Sequence, residues 1–297
     1  MMTVLLIGLL LLLSGIVHYE YTKNQQNASS NWKQQLEAQN QGMQSMVDNP
    51  DYHGNKTYFA NEMKITEYRI AHDMNPNIRS LWSSVSDAAN LIQLITIFTI
   101  IVAADMIASE FTWGTIKMLL IRPVYRYKIL WAKYVASLTF AMLMLAILFV
   151  LSIIVGLILY HSGAAQPDLY VGSDGMVHER SMVFAMLQTY GLKSIDLIMM
   201  VTFAFMISAG FRSSALAIGL SIFLLFAGSS VVQIMGRYFT WTKYILFANT
   251  DLTQYIGPAA PMVKGMTMGF SITMLIIYFI IFNFVSWLLF TRRDVTA

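Results

Sequence analysis

Runs of about 20 apolar residues recur along the chain, each long enough to cross about 30 Å of hydrocarbon as a helix. No other feature restricts the fold so strongly. In lipid every backbone polar group must be satisfied internally, so such runs become helices. Apolar residues make up 57% of the chain and charged ones 12%, against roughly 45–50% and 25% in a soluble domain. The expected fold is an all-α integral membrane protein with six transmembrane helices. Run length places the spans at about Val4–Val17, Ser84–Ala108, Ala132–Tyr160, a fourth whose clearest part is Ile195–Gly210, Ser214–Met235 and Phe270–Phe290. Trp82 and Trp287 suit the rims of the second and sixth. Met1-Met2-Thr3 lacks the charge of a signal-peptide n-region, and Ser14-Gly15-Ile16 is a poor cleavage match, so the first span is expected to be retained.

Charge orients the spans. Lys117, Arg122, Arg126, Lys128, Lys133, Arg212, Arg292 and Arg293, eight of the 19 basic residues, fall in three short segments on one side. Basic residues of short loops stay cytoplasmic. Both termini are therefore expected in the cytoplasm, and six spans satisfy that parity.

The expected organisation is a first transmembrane helix over 1–21, an extracellular helical insertion over 22–81, and spans two to six over 82–297. In the insertion Asn31–Val47 and Tyr58–His72 read as helices, the second with Phe59, Met63, Thr66 and Ile70 at helical spacing. An antiparallel hairpin over the outer mouth is expected, acting as a spacer, an exit gate or a ligand-recognition element. Leu169-Tyr170-Val171 and Met176-Val177 flank Gly172-Ser173-Asp174-Gly175 as a small β-hairpin. The Gly236–Gly265 segment carries Tyr238, Trp241, Tyr244 and Tyr255, which suit a half-inserted lid or re-entrant element.

The segment Ser109–Tyr134 is the most informative. Trp113, Ile116 and Leu120, with Leu119 beside them, make one apolar face at helical spacing. Gly114-Thr115 can open that helix, Thr115 or Thr112 can cap it, and Pro123 closes it. One reading is an interfacial helix whose lysines snorkel among lipid phosphates.

The ordered residues Glu110, Gly114-Thr115-Ile116-Lys117, Leu119-Leu120, Pro123, Arg126 and Lys133 add a second reading. They resemble the first cytoplasmic loop of ABC-2-type transporter permeases, nearest to the bacitracin-type export branch. Phe211-Arg212-Ser213-Ser214-Ala215-Leu216-Ala217 is similar to that branch's turn between spans four and five, and Phe290-x-Arg292-Arg293-Asp294-Val295 to its tail. The resemblance covers most of residues 84–297. It implies a coupling helix docked on a separate ABC-type ATPase subunit, present in two copies, beside a second permease chain in a homo- or heterodimer. Glu110, Trp113, Gly114, Thr115, Ile116, Lys117, Leu120, Pro123, Arg126 and Lys133 would carry the coupling. ATP and Mg would sit on the partner, and no cofactor on this chain. The implied activity is export of a hydrophobic or amphipathic molecule, such as a peptide antibiotic, toxin or drug, from a bacterial plasma membrane.

Three charged residues, Asp105, Lys193 and Asp196, are candidate polar sites in or at the ends of spans. Asp105 reads as a cap or salt bridge to the basic loop, or as a functional carboxylate. Lys193 and Asp196, three apart, can pair on one helix face or contact cargo. Zero cysteines exclude disulfides and thiolate metal sites, and the five histidines lack ligand spacing. No G-x-x-x-x-G-K-[ST] phosphate loop, Gly-x-Ser-x-Gly elbow or His and carboxylate paired at ligand spacing occurs, so this subunit is not expected to be an enzyme, and no nucleic-acid partner is expected. A self-sufficient ion-coupled carrier, or a ligand-sensing or immunity subunit, are the alternatives. Ala215 and Gly219 read as a close helix-packing pair.

Overall fold

The computed structural model describes residues 1–49, 56–115, 125–160, 166–172, 174–211, 213–236, 238–256, 261–263 and 265–292, without the side chains of 24–30 and 292. Within them six helical stretches are long and apolar enough to cross a membrane: Met2–Lys23, Leu81–Thr112, Arg126–Tyr160, Met182–Gly210, Ser214–Met235 and Met268–Thr291.

Helix α1 runs unbroken from Met2 to Asp48 over 47 residues. The apolar stretch ends at Lys23, beside the expected boundary at residue 21, but the helix does not break there as separate elements would require. Polarity changes after Tyr21, but Lys23–Gln41 contains no Gly or Pro and is rich in helix-compatible Gln, Asn, Glu and Lys. The end of an apolar run marks where lipid gives way to water, not where a backbone stops. At 1.5 Å per residue α1 is about 70 Å long, more than twice the hydrocarbon thickness. Helix α2 (Lys56–Ala71) returns antiparallel along its polar half. Lys56 Nζ donates to the Val47 carbonyl at 2.7 Å near one end, and Lys33 pairs with Asp73 at 2.7 Å near the other. Trp32, Leu36, Met43 and Ile65 are buried in this stalk.

The second span is α3 (Leu81–Ala88), a 3-10 turn (Ala89–Leu91) and α4 (Ile92–Thr112). Helix α5 (Arg126–Tyr160) leads to strands β1 (Asp168–Val171) and β2 (Val177–Arg180), paired antiparallel with Asp168 opposite Arg180. The hairpin is where the residue pattern puts it. Its base is closed by an Arg180–Asp168 ion pair at 2.6 Å. It grips the stalk through Lys64 Nζ to the Gly175 carbonyl (2.9 Å) and the Tyr68 hydroxyl to Glu179 Oε1 (3.2 Å). Helices α6 (Met182–Gly210), α7 (Ser214–Met235) and α9 (Met268–Arg292) complete the spans.

Helix α4 lies at the centre, packed on α5, α6 and α7. Ile95, Ile100, Ala103, Ala104 and Ala108 on α4 and Leu197, Val201 and Ala204 on α6 are fully buried. Leu12, Val135, Ile158, Phe223 and Ile280 on the flanking helices are more than half exposed; water disfavours such a belt and hydrocarbon accepts it. On α5 a Cβ at Gly156 would stand 2.8 Å from the Leu81 carbonyl oxygen, so that crossing tolerates no larger residue.

Between α7 and α9 the chain forms 3-10 turns at Thr240–Tyr244 and Leu252–Tyr255 with α8 (Leu246–Asn249) between them. This segment folds back among α6, α7 and α9. Asn249 is fully buried and satisfied: its Nδ2 donates to the Lys243 and Ile245 carbonyls at 2.8 and 2.9 Å, and its Oδ1 accepts from Ser271 Oγ at 2.8 Å. Such pairing is required of a buried amide. Phe247 fills the notch at Gly228, where a Cβ would come within 2.2 Å of the ring.

Candidate functional site

The last two turns of α4 are the most cross-linked polar region of the bundle. They lie at the end that carries Gly114, Tyr125, Gly210 and Thr291, opposite the stalk. Small residues prepare it. Ala103, Ala104 and Ala108 on α4 and Ser208 and Ala209 on α6 are buried and let two backbones come close. Ser208 Oγ accepts from the backbone nitrogens of both Ile107 and Ala108 at 3.0 Å.

Lys133 reaches across from α5. Its Nζ donates at 2.7 Å to the Met106 carbonyl and at 2.7 Å to Glu110 Oε1. The Lys133 and Glu110 side chains are 19% and 21% exposed, so water screens the pair only partly. The Thr115 hydroxyl donates to the second Glu110 oxygen. One carboxylate therefore ties α4 to α5 and to the residue after Gly114.

Gly114 has φ +70° and stands after Trp113, the C-cap of α4. It is the left-handed stop that glycine supplies without Cβ strain. The helix that Gly114-Thr115 was expected to open, with Thr112 or Thr115 as its cap, would occupy residues outside the described ones. Thr112 is the last residue of α4, and its Oγ1 donates to the Ala108 carbonyl and accepts from Ser214 N at 3.2 Å. Trp113 is 77% exposed. Ile116, Lys117, Leu120 and Pro123 lie outside the described residues, as do Arg122, Arg212 and residues 293–297. Arg126 opens α5 and donates to the Thr291 carbonyl at 3.4 Å.

Asp105 accepts from the Ser214 hydroxyl at the start of α7. This is a bond between side chains, not to a helix-end backbone N–H, so it is not the expected cap. Ser213 Oγ caps α7 by accepting from Leu216 N at 3.4 Å. Lys193 and Asp196 make no ion pair among the described residues, which corrects the expected pairing. Spacing put both on one helix face, but Asp196 meets the Thr250 hydroxyl of the folded-back segment instead. No group of three or more His, Cys, Asp or Glu able to hold a metal occurs among the described residues.

Glu110, Lys133, Thr115, Gly114 and Trp113 are thus brought together, while Lys193 and Asp196 stand apart near the folded-back segment. Sequence reasoning missed Ser208, Ser214 and the Met106 carbonyl. The small-residue run Ser208-Ala209-Gly210 was the available signal for the first. Four helices share bonds within two turns of α4.

The family model described as "Protein of unknown function (DUF2705)" matches residues 55–296. A Bacillus subtilis (strain 168) protein, "Uncharacterized protein YhcI", is 44% identical over 273 residues, covering 90% of this chain and 86% of the relative. A second from that strain, "Uncharacterized membrane protein YdbK", is 34% identical over 203 residues, covering 68% and 78%. With its six apolar helices the chain is a multi-pass membrane protein. By the extent of the family match and the closeness of these relatives, it belongs to the DUF2705 family.

Proposed function

We propose that this chain is the membrane-spanning permease subunit of an ATP-binding-cassette exporter for a hydrophobic or amphipathic molecule. One observation carries the reading: the Lys133–Glu110–Thr115 lock at the foot of α4, at the base of the segment that resembles a coupling loop. Such a loop needs a rigid footing, and this one is bonded into four helices. Positive charge on that side favours the cytoplasm, and on this reading both chain ends would be inside and the stalk outside a bacterial plasma membrane. Closure of two ATPase partners on ATP would draw the loops of two permease chains together. The lock would then pass the displacement to α4 and α5, Ser208 to α6, and Asp105–Ser214 to α7.

The test is co-purification from native membranes in mild detergent, wild type against Lys117→Glu and against Glu110→Gln/Lys133→Met. An ATPase subunit held by wild type and lost from Lys117→Glu supports the reading, with the lock variant retaining the partner but losing cargo-stimulated ATPase activity. If no nucleotide-binding protein is recovered in several detergents, the reading fails. The stalk favours a second reading, ligand sensing, because α2 is bonded to the β-hairpin that joins α5 to α6.

A further inference from the structure

At the end of the bundle from which the stalk rises, the folded-back segment turns an aromatic edge outward. Thr242 is fully buried, and its hydroxyl donates to the Phe239 carbonyl at 2.6 Å. Side chains three apart in a 3-10 turn lie one above the other. With Thr242 inside, Trp241 and Tyr244 therefore stand together outside, each 52% exposed. The Tyr278 hydroxyl of α9 pins this turn by donating to the Tyr244 carbonyl at 2.8 Å. The Lys243 ammonium is held 5.2 Å from the centre of the Tyr244 ring and 5.6 Å from that of Phe270, in the first turn of α9. Two rings fix a cation in place without cancelling its charge.

Acids are scarce around this ammonium. Lys243 makes no ion pair among the described residues. The segment packs on α6, α7 and α9, whose only acid is Asp196, and Asp196 meets Thr250 with Asp251 and Lys193 as its charged neighbours. Asp251 Oδ1 accepts from the Thr253 amide and hydroxyl. Arg237, residues 257–260 and Lys264, the parts of the segment outside the described residues, contain no acid. Asp51 and Asp294, the two acids outside the described residues, follow Asp48 at the tip of the stalk and Arg292 at the far end of α9. That far end is about 33 Å from Phe270 along the helix. Below the rings α9 offers hydrocarbon contact. Ile277, Ile281 and Phe284 continue the Phe270 face at helical spacing, and all three are exposed. From Phe270 to Phe284 the strip runs about 21 Å, enough for an acyl chain to cross one leaflet of about 15 Å. An ammonium and an indole N–H can only donate, so above that strip they match phosphate and ester oxygens. A choline or ethanolamine group would bring a second cation with no acid to receive it, so a net negative headgroup fits.

We propose that this edge binds one anionic phospholipid, with its phosphate on Lys243, its ester oxygens beside Trp241 and Tyr244, and one acyl chain along Ile277, Ile281 and Phe284. The site is at the opposite end from the Glu110 lock and independent of any ATPase partner, so its test uses the full chain alone. Purified protein is mixed with equal amounts of phosphatidylglycerol and phosphatidylcholine, and retained lipid is counted by native mass spectrometry. One phosphatidylglycerol is expected per chain, favoured about fivefold. Lys243→Gln loses the preference and Lys243→Arg keeps it. The chain has no cysteine, so a bimane can be attached at Ile277→Cys or, as a control on α7, at Phe223→Cys. Phosphatidylglycerol spin-labelled on its acyl chain should quench the first more than labelled phosphatidylcholine does, and the second equally. Glycerol phosphate at the same concentration displaces no lipid. Equal retention of the two lipids, an unchanged preference in Lys243→Gln, equal quenching at Ile277→Cys, or displacement by glycerol phosphate would overturn the proposal.

Discussion

The ammonium of Lys133 stands 2.7 Å from the carboxylate of Glu110 and equally close to the Met106 carbonyl, so a single side chain of α5 holds both the backbone and a charge of α4. Removing one partner leaves the other charge half-desolvated. Lys133→Met is expected to lower stability by on the order of 1–3 kcal/mol. Adding Glu110→Gln should restore part of that loss. Thermal unfolding of the two single variants and the double in one detergent measures the coupling, and strictly additive losses would show that the pair contributes nothing.

Gly228 and Phe247 make a tighter test of packing. A Cβ at 228 would meet the ring at 2.2 Å, and overpacking of this kind costs about 1–3 kcal/mol. Gly228→Ala should therefore push the folded-back segment outward. The cysteine-free chain allows this to be read directly: a cysteine placed at the fully buried Leu252 should label with a water-soluble maleimide faster in Gly228→Ala than in wild type.

Burial pushes the Glu62 carboxyl up from its ordinary range, and Arg69 opposes this only in part. An acid whose folded pKa is raised weakens the fold when ionised, so the loss begins as pH rises through the unfolded value near 4.3. Glu62→Gln should leave stalk stability unchanged at acid pH and raise it at neutral pH. Hydrogen exchange of α2 amides at several pH values gives the comparison.

Asp174 has the opposite sign. The Met176 amide, bonded to Oδ1 at 3.0 Å, holds its carboxyl below the usual range, helped by His178 with Nε2 2.9 Å from Oδ2. A lowered folded pKa gives stability that is present above the ordinary value near 3.9 and lost as pH falls through the folded one. The Met176 amide should exchange faster in acid in wild type, and Asp174→Asn should be less responsive to pH.

Much of the fold was legible where one local cause acts alone. Ser214–Met235 is an apolar run bounded by a Ser-Ser start and a Gly stop, and the helix has those ends. The β-hairpin followed from alternating residues around glycines. The continuity of α1 was not legible, because hydropathy reports solvent and not backbone geometry. Gly114 shows the limit at the site: a glycine between two apolar stretches gives no sign in the sequence that it ends α4, and only its φ of +70° marks that stop. Ser208 and Asp196 were obscured for another reason. Their partners, Ile107 and Thr250, are distant in sequence, and helix rotation decides which neighbour a face meets.

The unbroken α1 also fixes how movement is shared between the two sides of the bilayer. About 25 residues, roughly 38 Å, continue beyond the apolar stretch as the same rod. A tilt of ten degrees at the membrane swings the far end sideways by about 7 Å, and the β-hairpin bonded to α2 is carried with it. A jointed chain would absorb such a tilt at its hinge; a continuous one acts as a lever, enlarging a small rearrangement among buried helices into a larger displacement at the far end of the stalk.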